Sequence, residues 1–332
     1  MKIITESMVE TYLTMPICIQ AMRDAMISVS NGDTNLPIRQ YMTIPGVKGK
    51  MALMPGTIGT PNCYGIKLVC KYEREHDSPF GTHVGMVMVF DTESGLPLAM
   101  IEGSSLTGIR TAAASALATD LMARQDCKTL AIIGNGEQAK RHIHAMLAVR
   151  SPERIVVWGR DPKRAKAFAD KISKDIGRRV QTSDDLEKTV KQADIICTTT
   201  SAKTPFLKGA WVQVGTHINL VGAAIASSSE VDHDVVTRAR FVTDYRPAAM
   251  AAAGELLNAI EAGLVSEDHI VAEIGEIAAG RIKGRNSDQD ITVYKSLGVA
   301  AQDLAAGYFL YDQAVQKGFG QEVELLNGKM VE

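Results

Sequence analysis

The sequence predicts an α/β protein: a doubly wound parallel sheet joined to a second domain of the α+β type. Strand-like and helix-like runs alternate between Thr129 and Thr243, the signature of parallel strands joined by crossover helices. One stretch, Thr129 to Val149, reads as a buried strand, a glycine turn and a helix. The first third of the chain instead carries short strand-like runs separated by glycine and proline.

In chain order, a helix is expected near Ser7 to Ser30, broken by Pro16, followed by strands at Gln40 to Ile44, Lys50 to Met54, Tyr64 to Tyr72, Gly85 to Asp91 and Leu98 to Glu102. Thr92-Glu93-Ser94-Gly95 with Pro97 suits a hairpin turn, so these runs predict an antiparallel sheet with flanking helices. An alanine-rich helix opens in Ser104 to Thr111, with Ser105 or Thr107 as its cap, and continues through Ala123. Parallel strands are then expected at Thr129 to Ile133, Arg154 to Trp158, Ile195 to Thr199, His217 to Val221 and Arg240 to Thr243, and a last helix at Leu297 to Gln316 precedes a polar tail.

The stretch at 129–149 carries the dinucleotide (Rossmann) fingerprint. Apolar residues run into Gly134-Asn135-Gly136-Glu137-Gln138-Ala139, and Ile143, Met146 and Leu147 continue at helical spacing. Gly134 allows the tight turn, Gly136 lets the backbone approach a pyrophosphate, and the small Ala139 lets helix pack on strand. The helix N-terminus offers free N–H groups to the phosphates. A glycine-rich strand-to-helix turn alone is weak evidence; here the following strand arrives in the required order.

With 332 residues the chain has room for two domains, and 45% hydrophobic and 22% charged residues with a net charge of −2 point to no nucleic-acid partner. No apolar run reaches the ~18 residues of a membrane span, and the start lacks a secretory h-region. The five cysteines, odd in number and without CxxC spacing, read as reduced thiols of a cytoplasmic protein, with no metal site.

Several residues stand out chemically. The second strand of the fingerprint ends Trp158-Gly159-Arg160-Asp161, with Lys163 and Arg164 beyond. An arginine there suits the 2′-phosphate of NADPH; an acidic residue would suit NADH, and Asp161 lies one step late, so NADPH is the expected cofactor and NADH the alternative. Arg110, read in the first turn of its helix, suits a carboxylate ligand; a surface ion pair is the competing reading. Lys67 interrupts the apolar run YGIKLVC. Its ammonium must meet an anion or a cavity, or else alternation turns it to solvent. Arg39 is a weaker case of the same kind. His83, in FGTHVGM, reads as structural before functional, and His142 and His144, two apart on a helix, do not form a metal pair.

Taken together, GIKLV, LTGIRTAAASALAT, IIGNGEQA, INLVGA, GELLNAI and ITVYKSLGVAAQDLAA resemble the ornithine cyclodeaminase/mu-crystallin family over most of the chain. The resemblance implies a discontinuous substrate-binding and dimerisation domain, 1–126 with 304–332, a dinucleotide-binding domain, 127–303, a nicotinamide site between them, and a homodimer. By the same resemblance, Arg39, Lys67 and Arg110 bind the substrate carboxylate and line its pocket. Thr111, the Gly134 to Gln138 turn, Thr198, Thr199, Thr200, Val221, Gly222 and Ser296-Leu297-Gly298 contact the cofactor.

The family holds several activities, and one departure separates them. Cyclodeaminases and related alanine dehydrogenases have an aspartate after the strand that here ends at Gly222, whereas this chain runs Gly222-Ala223-Ala224-Ile225-Ala226-Ser227-Ser228-Ser229-Glu230. Amino-acid oxidation with water addition, or cyclisation with loss of ammonia, needs a base that Ala224 cannot supply. Mu-crystallin-like ketimine reductases share this lack. The expected activity is therefore reduction of small cyclic imino acids, Δ1-pyrroline-2-carboxylate to L-proline or Δ1-piperideine-2-carboxylate to L-pipecolate. The rivals are an ornithine cyclodeaminase with Glu230 or Asp232 as replacement base, an amino-acid dehydrogenase, and a non-catalytic NADPH-binding protein.

Overall fold

In the computed structural model, which describes residues 1–74, 78 and 81–325, the chain divides into two compact units, Met1–Arg110 with Val299–Glu332, and Thr111–Gly298. The family resemblance implies divisions at 126/127 and 303/304. Residues 326–332 of the expected C-terminal piece, and Phe80 of FGTHVGM, lie outside the described residues.

The first unit holds an eight-stranded sheet in the order Gln321–Glu322, Lys2–Ile4, Pro97–Glu102, His83–Phe90, Cys63–Lys71, Lys50–Ile58, Thr34–Asn35, with Gln40–Thr43 also paired to Lys50–Ile58. The expected antiparallel strands form, but the sheet is mixed: Lys2–Ile4 lies parallel to Pro97–Glu102. That strand has only three residues ahead of a helix, too few for a readable alternation. Pro16 divides the first helical run into Glu6–Tyr12 and Met15–Asn31, and sits in the first turn of the second, where a missing N–H breaks no helical bond.

Side chains alternate across this sheet. On Cys63–Lys71, Cys63, Gly65 and Lys67 are buried on one face, against which the helix Ala300–Lys317 packs. A Cβ on Gly65 would come within 2.8 Å of Leu304. The opposite face carries Met51, Leu53, Ile66, Leu68, Val84 and Met86, all apolar and half-buried or exposed.

The helix Gly103–Met122 starts earlier than expected. Its first N–H groups are received by Glu102, whose Oε2 accepts from Ser105 N at 2.9 Å and whose Oε1 accepts from Ser104 N. Ser105 and Thr107 therefore lie inside the helix, and Arg110 stands about two turns in, away from the dipole end. The expectation of a first-turn arginine fails because the cap is the last residue of a strand.

The second unit is an eight-stranded parallel sheet in the order Gln181–Ser183, Arg154–Trp158, Thr129–Ile133, Ile195–Thr198, His217–Leu220, Ile291–Lys295, Ala239–Thr243, Ile270–Glu273. The central strands are buried along their length, as a sheet covered on both faces requires. Three of these strands, Gln181–Ser183, Ile270–Glu273 and Ile291–Lys295, were not expected; the last inserts between strands that precede it in the chain, which no local pattern announces. Chain order reverses beside Thr129–Ile133, which pairs with Arg154–Trp158 on one side and Ile195–Thr198 on the other. In such sheets the crevice beyond the C-terminal strand ends at this point is the ligand site.

Candidate active site

The glycine turn lies at that switch point. Gly134 has φ +126°, and a Cβ there would meet Thr199 Oγ1 at 2.6 Å, so the adjoining strand end admits only glycine. At Gly136 the backbone is extended and an added Cβ would meet nothing within 4 Å. The fold itself makes no steric demand at 136, which leaves room for a group to reach the backbone from outside.

The helix Glu137–Val149 begins there with no side-chain cap, whereas Pro162–Asp175, Leu186–Lys191 and His233–Arg238 are each capped by an aspartate. Its first N–H groups and dipole end meet no capping side chain, which suits an anion. Glu137 pairs with Arg141 at 2.7 Å, Asn135 is half-buried, and the Gln138 Oε1 is buried without a hydrogen-bond partner among the described residues. These features fit a dinucleotide pyrophosphate, which Gly134, Gly136 and the N–H groups of Glu137 and Gln138 would hold.

Trp158 stacks on Phe206 at 6.2 Å, next to the buried Gly159, and Arg160 is exposed at the strand end. Asp161 does not reach towards a ribose: its carboxylate caps the next helix, accepting from Lys163 N at 2.9 Å and Arg164 N at 3.2 Å. This leaves Arg160 as the charged side chain of the strand end.

The other expected cofactor loops are tied down by carboxylates that sequence reasoning either cast as a spare base or passed over. Glu230 is fully buried and accepts from Thr198 Oγ1 at 2.7 Å, Thr200 N at 2.9 Å, Thr200 Oγ1 at 2.7 Å and Gly222 N at 2.8 Å. Burial pushes its carboxyl up, against the hydrogen bonds of Thr198 and Thr200. Thr199 Oγ1 donates to Ile133 O at 3.2 Å. The hydroxyls of Thr198, Thr199 and Thr200 therefore donate within the protein, as do the N–H groups of Thr199, Thr200, Val221 and Gly222, so these loops offer a ligand acceptor oxygens rather than donors.

Asp244 plays the same part for 296–298, accepting from Leu297 N at 2.8 Å and Gly298 N at 2.7 Å. This turn delays the last helix to Ala300, and Ser296 Oγ is buried without a hydrogen-bond partner among the described residues. Beneath lies a fully buried ion pair, Lys295 Nζ to Glu255 Oε2 at 2.8 Å, whose ammonium also donates to the carbonyl of Ala223. Thr111 is buried on its helix. Asp232 caps His233–Arg238 and accepts from Gly209 N at 2.9 Å.

In the first unit, the structure brings Lys67 and Arg110 onto one carboxylate. Lys67 faces the buried side of its sheet, 2% exposed, and its Nζ lies 2.9 Å from Asp303 Oδ1 and 2.8 Å from Oδ2. Arg110, 4% exposed, donates through Nε to Asp303 Oδ1 at 2.8 Å and through Nη1 to Gln302 Oε1 at 3.0 Å. Neither competing reading, solvent-facing lysine or surface arginine, survives.

Burial, then the Arg110 charge, push Lys67 down to about 7, with Asp303 acting the other way and Arg39 adding to the lowering. Burial alone would raise Asp303; the charges of Arg110 and Lys67 outweigh it and hold the carboxyl below its ordinary range. Arg39 is half-buried, its Nη1 3.4 Å from Tyr41 OH. Desolvation, then Lys71, Lys67, Arg39 and Lys50, hold His83 down at about 4, so it is neutral near pH 7. Two cations on one anion, with Arg39 in electrostatic reach, leave a net positive site suited to a carboxylate.

His142 is fully buried between Gln138 O at 2.8 Å and Ser115 Oγ at 2.9 Å, while His144 meets Asp175 at 3.0 Å. Asp303, Gln302, Asp244 and Glu255 were missed by sequence reasoning. The available signal was Asp303, a carboxylate within the apolar run GVAAQDLAAGYF, balancing Lys67, a lysine within the apolar run YGIKLVC.

A parallel sheet with a glycine turn at its switch point, accompanied by a buried cationic site, defines a dinucleotide-binding enzyme of the doubly wound class. The profile of the ornithine cyclodeaminase/mu-crystallin family matches residues 1–318, and the chain belongs to that family. It is 36% identical over 292 residues to a Δ1-pyrroline-2-carboxylate reductase of Bacillus cereus, covering 88% of this chain and 90% of that protein. Among solved structures, Δ1-pyrroline-2-carboxylate reductase of Thermococcus litoralis, in complex with NADH and L-proline, superposes with a TM-score of 0.93 at 32% identity, covering 97% of this chain and all of that one. An archaeal alanine dehydrogenase dimer with bound NAD gives 0.90 at 29% identity, covering 98% and 99% of the two chains.

Proposed function

We propose that this chain reduces small cyclic imino acids with a nicotinamide dinucleotide, converting Δ1-pyrroline-2-carboxylate to L-proline, with Δ1-piperideine-2-carboxylate as the six-membered variant. The observation that carries this reading is the buried pair Lys67 and Arg110 on the single carboxylate of Asp303, in a chain that places no aspartate between 223 and 231. The similarity to reductases of this imino acid supports it.

In this reading Arg110 and Arg39 hold the substrate carboxylate, and Lys67 lies beside the ring and gives a proton to the imine nitrogen. When bound, the nicotinamide cofactor would supply the hydride for the imine carbon. The C=N bond becomes a C–N single bond, with the proton on nitrogen and the hydride on carbon. Much of the rate gain comes from holding the flat ring in place. The dinucleotide is held by the turn at Gly134–Gln138, by backbone at Thr198–Thr200 and Val221-Gly222, and by Thr111 and Ser296–Gly298, with Trp158, Gly159 and Arg160 at the adenosine end and Arg160 on a 2′-phosphate.

A cyclodeaminase would need Glu230 or Asp232 as base. Both carboxylates already accept hydrogen bonds that hold loops and a helix end together, which disfavours that rival. The apolar outer face of the first unit's sheet, costly to leave in water, supports a homodimer built on it; a monomeric mass in solution would overturn this.

The test of the activity is reduced-cofactor consumption with five- and six-membered cyclic imines, run beside ornithine with detection of ammonia. Consumption with the imines and no ammonia is expected. Ammonia release without net cofactor change would replace this reading with the lyase.

A further inference from the structure

We propose that Asp303 is a positioning residue of this reduction: its carboxylate fixes the Lys67 ammonium and the Nε edge of the Arg110 guanidinium, so that both present their remaining N–H groups to the substrate. The inference rests on the functional reading above and concerns a residue that does not itself meet the substrate. Asp303 sits on the helix Ala300–Lys317, fully buried, while its two partners come from a strand and from a different helix. One carboxylate thus sets the distance between two site cations that are remote in sequence.

The geometry leaves defined donors over. Arg110 uses Nε on Asp303 and Nη1 on Gln302, and its Nη2 makes no hydrogen bond among the described residues. Gln302 is in turn held by Met26, its Nε2 3.5 Å from Sδ. Lys67 straddles the two oxygens of Asp303 and has no other hydrogen-bond partner there.

The groups around Lys67 come from every packed element: Asp303 from Ala300–Lys317, Arg110 from Gly103–Met122, Arg39 before Gln40–Thr43, and His83 from the neighbouring strand. Cys18, from Met15–Asn31, lies in reach of Arg110 and Asp303 but is pushed up to about 12 by burial, so it carries no charge. His83 is neutral as well. Asp303 is therefore the one anion among these groups, set against the cations Lys67, Arg110 and Arg39. The positive charge left over suits a further carboxylate. Without Asp303, Lys67 and Arg110 would repel each other in a buried site, and Lys67, the only one of the two able to lose its proton, would do so.

The test is Asp303→Asn and Asp303→Glu, with the Lys67 titration read by NMR on protein carrying ε-13C lysine, the resonance assigned by its loss in Lys67→Arg. In Asp303→Asn the Lys67 midpoint should fall by about one unit or more, and the alkaline limb of kcat/KM for the imine should move with it. Asp303→Glu should keep the midpoint near the wild-type value yet lower kcat/KM, because the longer side chain displaces both head groups. A merely structural aspartate would leave the Lys67 midpoint where it is, and that result overturns the proposal. If Asp303→Asn does not fold, Asp303→Glu decides: wild-type kinetics in that variant would overturn the positioning role. The titration is read without substrate, so a wild-type enzyme inert towards cyclic imines defeats the functional reading, whereas an unmoved midpoint defeats the role of Asp303.

Discussion

Lys67 and Asp303, 236 residues apart in sequence, form a buried ion pair with Nζ 2.8 Å from Oδ2. Arg110 shares the same carboxylate. Removing one member of such a cluster costs more than a surface pair would, because the remaining charges stay buried and uncompensated.

Arg110→Lys keeps the charge and loses the fork. A lysine cannot bond Asp303, Gln302 and a substrate carboxylate from one rigid plane. Loss of a charge-assisted hydrogen bond corresponds to a fall in kcat/KM of about 10- to 100-fold, measured by steady-state kinetics with the cyclic imine. Near-normal kinetics would take Arg110 out of the site.

The pH dependence follows from Lys67. In the proposed mechanism its proton goes to the imine nitrogen, and burial together with Arg110 brings its loss down to about 7. After correction for the titration of the imine itself, kcat/KM for reduction should be flat below about 7 and fall roughly tenfold per unit above it. Oxidation of the cyclic amine needs the neutral amine of Lys67 and should rise through the same midpoint. Lys67→Met should abolish this limb in both directions.

Arg160 is exposed at the end of Arg154–Trp158 and Asp161 is committed to a helix cap. Arg160→Ala should therefore raise the KM for NADPH several-fold more than that for NADH. Equal effects on the two cofactors would remove Arg160 from recognition of the 2′-phosphate.

Glu230 gathers Thr198, Thr200 and Gly222 onto one carboxylate. In Glu230→Gln one acceptor oxygen becomes a donor facing donors. The expected cost is about 2–3 kcal/mol, a drop in Tm of roughly 5 °C or more, together with a raised cofactor KM. An unchanged melt with unchanged cofactor KM would show that these loops hold without the clamp.

Much of this architecture was legible because it is written locally. The glycine turn, the alternation of strands and helices, and the strands Lys50–Ile58, Cys63–Lys71 and His83–Phe90 all follow from short-range pattern. Lys67 was visible as a cation in an apolar strand, but which face it took depended on register, and its partner lay in a distant helix. Arg110 was placed near a helix start because a hydroxyl cap was expected where Glu102, the end of a strand, does the capping. Glu230 read as a spare base because a sequence cannot show that its oxygens are already occupied by Thr198, Thr200 and Gly222. The strand Ile291–Lys295 was missed because its place in the sheet is set by topology.

Reduction of a cyclic imine requires hydride delivery to the imine carbon. The most direct measurement is transfer of deuterium from cofactor deuterated at the nicotinamide C4 into the product, with Δ1-pyrroline-2-carboxylate as substrate and detection by NMR. One deuterium at C2 of L-proline, formed one for one with oxidised cofactor, is the predicted result. Product without deuterium from either C4 face of the cofactor, or no product while ornithine loses ammonia, would contradict it.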